Sequence, residues 1–240
     1  MIDNTYMQEL DKRKKRWWNG FRDANSGAVL AGWDIDYRFL MSENGIPRSM
    51  LDGNLQDIMP ANEKQLLVMN SMWDMIYNRS TPVTMIISGG NGTGKSFLGA
   101  ALVHTLAILA SCSTERDWHP YFIDEATLLM RAGGYGWQAD QGFREFSQGH
   151  GVLVIDEFAM VQWTPADKRK IEQILNVRYG NRLRTVILTN RRPSELFGSD
   201  DGGPEPILSS QIRSRYGIGI NIEMTGPDLR PEFEYGNDPF

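Results

Sequence analysis

The stretch SGGNGTGKS, Ser88 to Ser96, decides how this chain folds. Gly89 and the run Gly94-Lys95-Ser96 fit the spacing G-x-x-x-x-G-K-[S/T], which has meaning only between a strand and a helix. Both neighbours are present. TPVTMIIS (81–88) is apolar and β-branched, and GKSFLGAALVHTLAILAS (94–111) has helical character. Glycines allow such a loop to curl so that its N–H groups face a phosphate, and the helix N-terminus adds a favourable dipole. The loop therefore nominates Gly89, Gly90, Asn91, Gly92, Thr93, Gly94, Lys95, Ser96 and Phe97 as nucleotide contacts. Lys95 is expected at the β- and γ-phosphates, and the Ser96 hydroxyl on Mg²⁺.

Outward from the loop, PYFIDE (120–125), GVLVIDEF (151–158), RTVILTN (184–190) and GINIEM (219–224) read as further strands. Leu66, Met69, Trp73 and Ile76 form one helical stripe before the loop. TPADKRKIEQILNVRYG (164–180) opens with a capping Thr164, a proline at the first helical position and Asp167 three residues on. Strands separated by helices imply an α/β fold with a central parallel sheet.

VLVIDE ends four apolar residues with Asp156 and Glu157. An acid at the end of a buried central strand is placed to hold Mg²⁺ or its water, and the next carboxylate to polarise an attacking water as general base. Other owners of a glycine loop fit less well. A GTPase needs an aspartate to pair with guanine, and TNRRP (189–193) lacks it. The second glycine signature of ABC ATPases is absent. A small-molecule kinase does not need the acid pair. ATP hydrolysis is the expected chemistry.

Composition narrows the setting. Hydrophobic residues make up 41% of 240 and charged residues 23%, enough apolar material for a buried core. The net charge of −5 argues against coating nucleic acid through bulk charge and leaves room for a local basic site. The single cysteine, Cys112, allows no internal disulfide and suits a reducing interior. His104, His119 and His150 lack ligand spacing. The longest apolar run, 98–110, is too short to span a bilayer, and no signal sequence follows the N-terminal basic residues. The expected location is cytoplasmic.

In motif order the chain resembles the AAA+ ATPases, and within them the DnaC/DnaI-type replicative helicase loaders with their IstB-like transposase-helper relatives. The resemblance covers residues 45 to 232. GIPRSML (45–51) resembles the lead-in to the ATPase core, SGGNGTGKSFLGAAL the Walker A segment and GVLVIDEFAM the Walker B segment. VILTNRRPSEL resembles the sensor-1 strand, which implies that Asn190 contacts the γ-phosphate and the attacking water. ILSSQIRSRYG resembles the box VII helix, implying Arg215 as an arginine finger acting on a neighbouring subunit, with Arg213 as alternate. GPDLRPEF resembles the sensor-2 segment and gives Arg230 that role. With 25 residues after Arg215, a separate helical lid is not expected.

The resemblance implies an ATPase domain over 46–232, a partner-binding extension over 1–45 and a tail over 233–240. It also implies assembly into a ring or spiral, a hexameric DnaB-type helicase as partner, and single-stranded DNA. DKRKKRWWNGF (11–21) suits a docking helix in which Arg13, Arg16, Trp17 and Trp18 grip the helicase. The same residues suit DNA contacts, or a solvated basic face with the tryptophans packed inward. MRAGGYGWQADQGFR (130–144) offers Arg131, Tyr135, Trp137 and Arg144 as DNA contacts, although aromatic residues near glycines more often pack. The expected function is ATP-dependent loading of a replicative helicase, and the compact size suits a phage-encoded version. A transposase helper, or a free-standing ATPase or helicase motor, is the alternative.

Overall fold

The computed structural model describes residues 44–47, 50, 55, 58–77, 84–111, 119–133, 136–198 and 205–229. Five strands, β1 (Thr84–Gly89), β2 (Pro120–Asp124), β3 (Val152–Asp156), β4 (Arg184–Thr189) and β5 (Ile220–Met224), form one sheet. Its order is β2-β3-β4-β1-β5, and each neighbouring pair is parallel. The chain thus crosses from β1 at one side to β2 at the far edge and returns inward. A parallel crossover of this kind needs a helix. That helix is α2 (Lys95–Ser111), which starts inside the glycine loop.

Alternation along the strands sorts the core into two halves. Met85 and Ile87 of β1, Val152 and Val154 of β3, and Val186 and Leu188 of β4 face α1 (Glu63–Tyr77) and α2. Ile86, Leu153, Ile155 and Ile187 face the other side. There they meet α3 (Glu125–Ala132), α5 (Pro165–Gly180), α6 (Pro193–Phe197) and α7 (Ser210–Tyr216). Every residue of β3 and β4 is buried, as strands covered on both faces must be. The stripe Leu66, Met69, Trp73 and Ile76 is buried on α1. Thr164 caps α5 through a reciprocal capping box with Asp167, and Pro165 occupies the first turn.

The lead-in docks on the sheet edge. Phe122 of β2 donates its backbone N–H to Asn44 O at 2.9 Å, and Ile46 is buried. Gly45 has φ +75, and a Cβ there would collide with Phe122 O.

Between β2 and β3 lie α3, α4 (Trp137–Arg144) and a π-helical turn, Glu145–Gly149. Arg178 of α5, fully buried, secures that turn. Its Nη1 donates to Phe146 O and His150 O, both at 2.9 Å. Its Nε donates to Thr185 Oγ1 at 3.0 Å and its Nη2 to Arg184 O at 2.6 Å. Burial pulls its pKa down to about 10, so it stays charged at neutral pH among oxygen acceptors. Among the described residues no helix is long and apolar enough to cross a membrane.

Candidate nucleotide site

Strand order brings the motifs together. β3, β4 and β1 are neighbours and run the same way, so their carboxyl ends share one edge of the sheet. Asp156 ends β3, Asn190 follows β4 and the glycine loop follows β1. A crevice outside the carboxyl ends of parallel strands is where open α/β sheets bind ligands. Here it is a cleft of about 810 Å³, lined by the loop, Asp156, Glu157 and Asn190, with Met50, Ile58 and Met59 supplying an apolar end. That volume falls in the range of small-molecule sites.

The loop is built to keep its peptide groups near a ligand. Gly92 and Gly94 have φ of +71 and +90, open to glycine and rare for other residues. Lys95 is buried, and its Nζ donates to Gly89 O at 2.9 Å and Gly90 O at 2.7 Å. Burial lowers the lysine pKa, and the nearby Asp156 carboxylate opposes that shift. Gln65 of α1, also buried and part of the cleft wall, braces the loop, donating from Nε2 to Thr93 O at 3.0 Å. The segment after β5 crosses over it, where Leu229 donates its backbone N–H to Gly92 O at 2.8 Å.

Asp156 is buried beside Ser96. Desolvation raises its pKa; the Ser96 hydroxyl, the Glu157 N–H at 2.9 Å and the Lys95 charge pull it back, and Asp124 pushes it up again. Asp124 is its register partner on β2. Glu157 is exposed and lines the cleft. Its backbone lies in the left-handed region, φ +53, as does that of Ala159, φ +60. Such a conformation costs a non-glycine residue on the order of 1–3 kcal/mol and persists only where the surroundings impose it. Phe158 between them supplies part of that constraint. It is buried, donates its N–H to Leu188 O at 3.0 Å, and accepts the Thr189 hydroxyl at 2.7 Å. On the far wall Asn190 Nδ2 donates to Asn91 Oδ1 at 2.6 Å.

Other residues nominated by the sequence lie elsewhere. Arg215 is on α7, outside the cleft; it donates to Asn176 Oδ1 at 2.5 Å and covers the Tyr179 ring at 5.4 Å. Arg213 donates to Phe197 O at 2.8 Å. Trp137 is 76% exposed on α4, and Arg144 is exposed at the end of that helix. Arg131 is engaged within the protein. Its guanidinium grips both oxygens of Glu145 at 2.9 and 2.8 Å, donates to the Tyr121 hydroxyl at 2.9 Å and covers the Phe146 ring. Arg230, Tyr135, Arg13, Arg16, Trp17 and Trp18 lie outside the described residues.

Gln65, Asp124 and Glu125 carry no motif and were not legible as site residues. A glutamine within a helical stripe and acids ending a strand look like ordinary polar edges until packing sets Gln65 against Thr93, Asp124 beside Asp156 and Glu125 against the Ala159 N–H.

No family model matches the chain, and no curated protein matches it in sequence. Solved structures do. The crystal structure of DnaI is similar at 19% identity and a TM-score of 0.60, over 77% of this chain and 94% of that one. The DnaC helicase loader matches at 18% identity and 0.52, over 75% of this chain and 100% of that one. The replication initiator DnaA bound to AMPPCP and single-stranded DNA matches at 16% and 0.55, over 76% of this chain and 51% of that one, about half its length. At such identities the likeness speaks for architecture. The chain has the α/β fold, a parallel sheet flanked by helices, that the DnaI, DnaC and DnaA structures share.

Proposed function

We propose that this chain hydrolyses ATP and uses it to load a DnaB-type hexameric helicase onto single-stranded DNA. The observation that carries the reading is the convergence of Lys95, Ser96, Asp156, Glu157 and Asn190 in one cleft. The likeness to DnaI and the DnaC helicase loader supports the loader role, and the likeness to DnaA supports a replication task more broadly.

The residues fit a magnesium nucleotide. Gly92 and Gly94 open the loop toward phosphate, Lys95 is the cation for the β- and γ-phosphates, and the apolar end suits a base. Ser96 and Asp156, one hydroxyl and one carboxylate, match the way Mg²⁺ is held at nucleotide sites, by few protein oxygens with phosphate and water completing the shell. When bound, the ion neutralises charge that develops on the phosphates. Glu157 accepts a proton from the attacking water, and Asn190 orients that water and the terminal phosphate.

Arg215 lies outside its own cleft, which favours action on a neighbour's nucleotide in a ring or spiral. Trp137 and Arg144 are the described candidates for DNA. Arg131 stays among them through its remaining N–H groups, since Glu145 and Tyr121 engage three of its five donors. Residues 1–45 are proposed as the helicase-binding extension, and the cytoplasm, of a host or of a phage-infected cell, as the site of action.

The test is nucleotide-dependent capture. The full chain with Mg-ATP is expected to retain a DnaB-type hexamer on an affinity resin and move it onto a single-stranded circle. Lys95→Ala is expected to lose ATP binding and that transfer. Capture of a transposase instead, or strand unwinding by the chain alone, would contradict the loader reading.

A further inference from the structure

The turn that carries Glu157 is held by two side chains outside the cleft. Glu125, the first residue of α3, is 1% exposed. Its Oε1 accepts the Ala159 N–H and the Trp163 indole N–H, both at 2.8 Å, and its Oε2 accepts the Val161 N–H at 3.4 Å. Burial pushes this carboxyl up in pKa, and the N–H donors, Ala159 first, pull it back. From the opposite side Arg191 donates from Nε to Ala159 O at 3.0 Å. Its own backbone N–H rests on Thr189 Oγ1, the hydroxyl that donates to Phe158 O, and its Nη1 reaches Glu195 at 3.3 Å. Ala159 is thus gripped at both its N–H and its C=O, one from the β2 side and one from the β4 side. Neither Glu125 nor Arg191 lines the cleft.

We propose that Glu125 and Arg191 are positioning residues for Glu157: by clamping Ala159 from both ends they impose the left-handed turn that presents the Glu157 carboxylate to the cleft. The turn contains no glycine or asparagine, so its own sequence does not favour positive φ at 157 and 159. Three N–H donors meeting one carboxylate explain why a buried acid stands at 125, since a carboxylate offers two acceptor oxygens and no donor. Arg191 adds a link to the Asn190 side. It is the residue after Asn190, so the clamp fixes the spacing between the two walls that would face the terminal phosphate. The proposal rests on the reading that Glu157 activates water for ATP hydrolysis.

The full chain is compared with Glu125→Gln, Arg191→Ala and Glu157→Gln. Measured are steady-state ATP turnover at saturating Mg-ATP and equal protein concentration, affinity for a fluorescent ATP analogue, and melting temperature. Glutamine keeps the shape of Glu125 but replaces one acceptor oxygen with an NH₂ group that faces N–H donors. Turnover is expected to fall about 10- to 100-fold in Glu125→Gln and Arg191→Ala, the scale of a small misplacement of a catalytic group. The analogue's Kd is expected to stay within about threefold, a kcat effect without a binding effect. Adding either change to Glu157→Gln is expected to cost nothing further, because all act through one carboxylate.

Should Glu125→Gln not fold, Arg191→Ala at the half-buried end of the clamp decides alone. Parental turnover in Arg191→Ala, slowing matched by lost nucleotide affinity, or an additive loss on top of Glu157→Gln would overturn the clamp. Parental turnover in Glu157→Gln itself refutes the underlying reading of the site, and the clamp with it. The two failures are therefore distinct.

Discussion

Asn190 at the end of β4 donates from Nδ2 to Oδ1 of Asn91 in the glycine loop, 2.6 Å away, across 99 residues of sequence. The bond joins two walls of the cleft through side chains that are both exposed. A terminal phosphate in the cleft would compete for the Asn190 amide. Asn190→Ala is expected to slow ATP turnover about 10- to 1000-fold, the range for removing one donor to developing charge, with nucleotide affinity little changed. Asn91→Ala, which removes the resting partner and one side chain of the cleft wall but leaves the loop's backbone N–H groups, is expected to change kcat far less than Asn190→Ala does. Equal losses in the two variants, measured as kcat, would show that the pair matters as a latch and not through Asn190.

Arg215 touches Asn176 and Tyr179 in its own subunit and not the cleft. If it completes a neighbour's site, Arg215→Ala is expected to bind nucleotide normally and lose turnover by about 10³- to 10⁵-fold relative to the assembled parent. Complementation checks the direction of action. Mixed with Glu157→Gln, itself inactive, it should regain a fraction of parental turnover, because an intact Glu157 then meets an intact Arg215 across the interface. No recovery on mixing would place the arginine's effect within one subunit.

Trp137 stands 76% exposed at the start of the helix that Arg144 ends. A base stacked on an aromatic ring contributes about 1–3 kcal/mol. Trp137→Ala is expected to weaken binding to a fluorescent oligothymidylate by roughly five- to a hundredfold. The melting temperature should hold, because an indole in solvent packs against little. Unchanged DNA affinity in the folded variant would remove this residue from the DNA surface.

His150 lies half-buried on the Tyr121 ring, centroids 4.5 Å apart, with Nε2 3.6 Å from Glu145 Oε1. Burial pulls its pKa down to about 4; Glu145 opposes that shift, and the charge of Arg178 reinforces it. The unfolded chain takes up a proton near the ordinary histidine pKa of about 6.5, before the folded one does. Stability from the neutral imidazole is therefore complete above about pH 6.5 and is lost as pH falls toward 4, by at most about 3 kcal/mol. His150→Phe keeps a ring on Tyr121 and removes the titration. Its urea midpoint is expected to fall less than the parent's between pH 7 and pH 4.5. Equal slopes in the two proteins would assign the acid sensitivity to other groups.

The glycine loop, the β3 acids, Asn190 and the capping of α5 were all legible in the sequence, because each depends on a short run. Gly92 and Gly94 mark the backbone that must curl, the apolar run before Asp156 marks a strand buried on both faces, and Thr164-Pro165 marks a helix start. What those runs cannot contain is the order of the strands. Placing β4 between β1 and β3 is a property of the whole sheet, and only that order sets Asn190 opposite Asn91 and Asp156 beside Ser96. The same holds for Gln65 against Thr93 of the loop, for Arg131 paired with Glu145, and for Glu125 and Arg191 meeting at Ala159. Local sequence biases φ and ψ over a few residues. A hydrogen bond between residues 14 to 99 apart exists only after packing has brought its two ends together, so the chemistry was written in the motifs and its geometry in the fold.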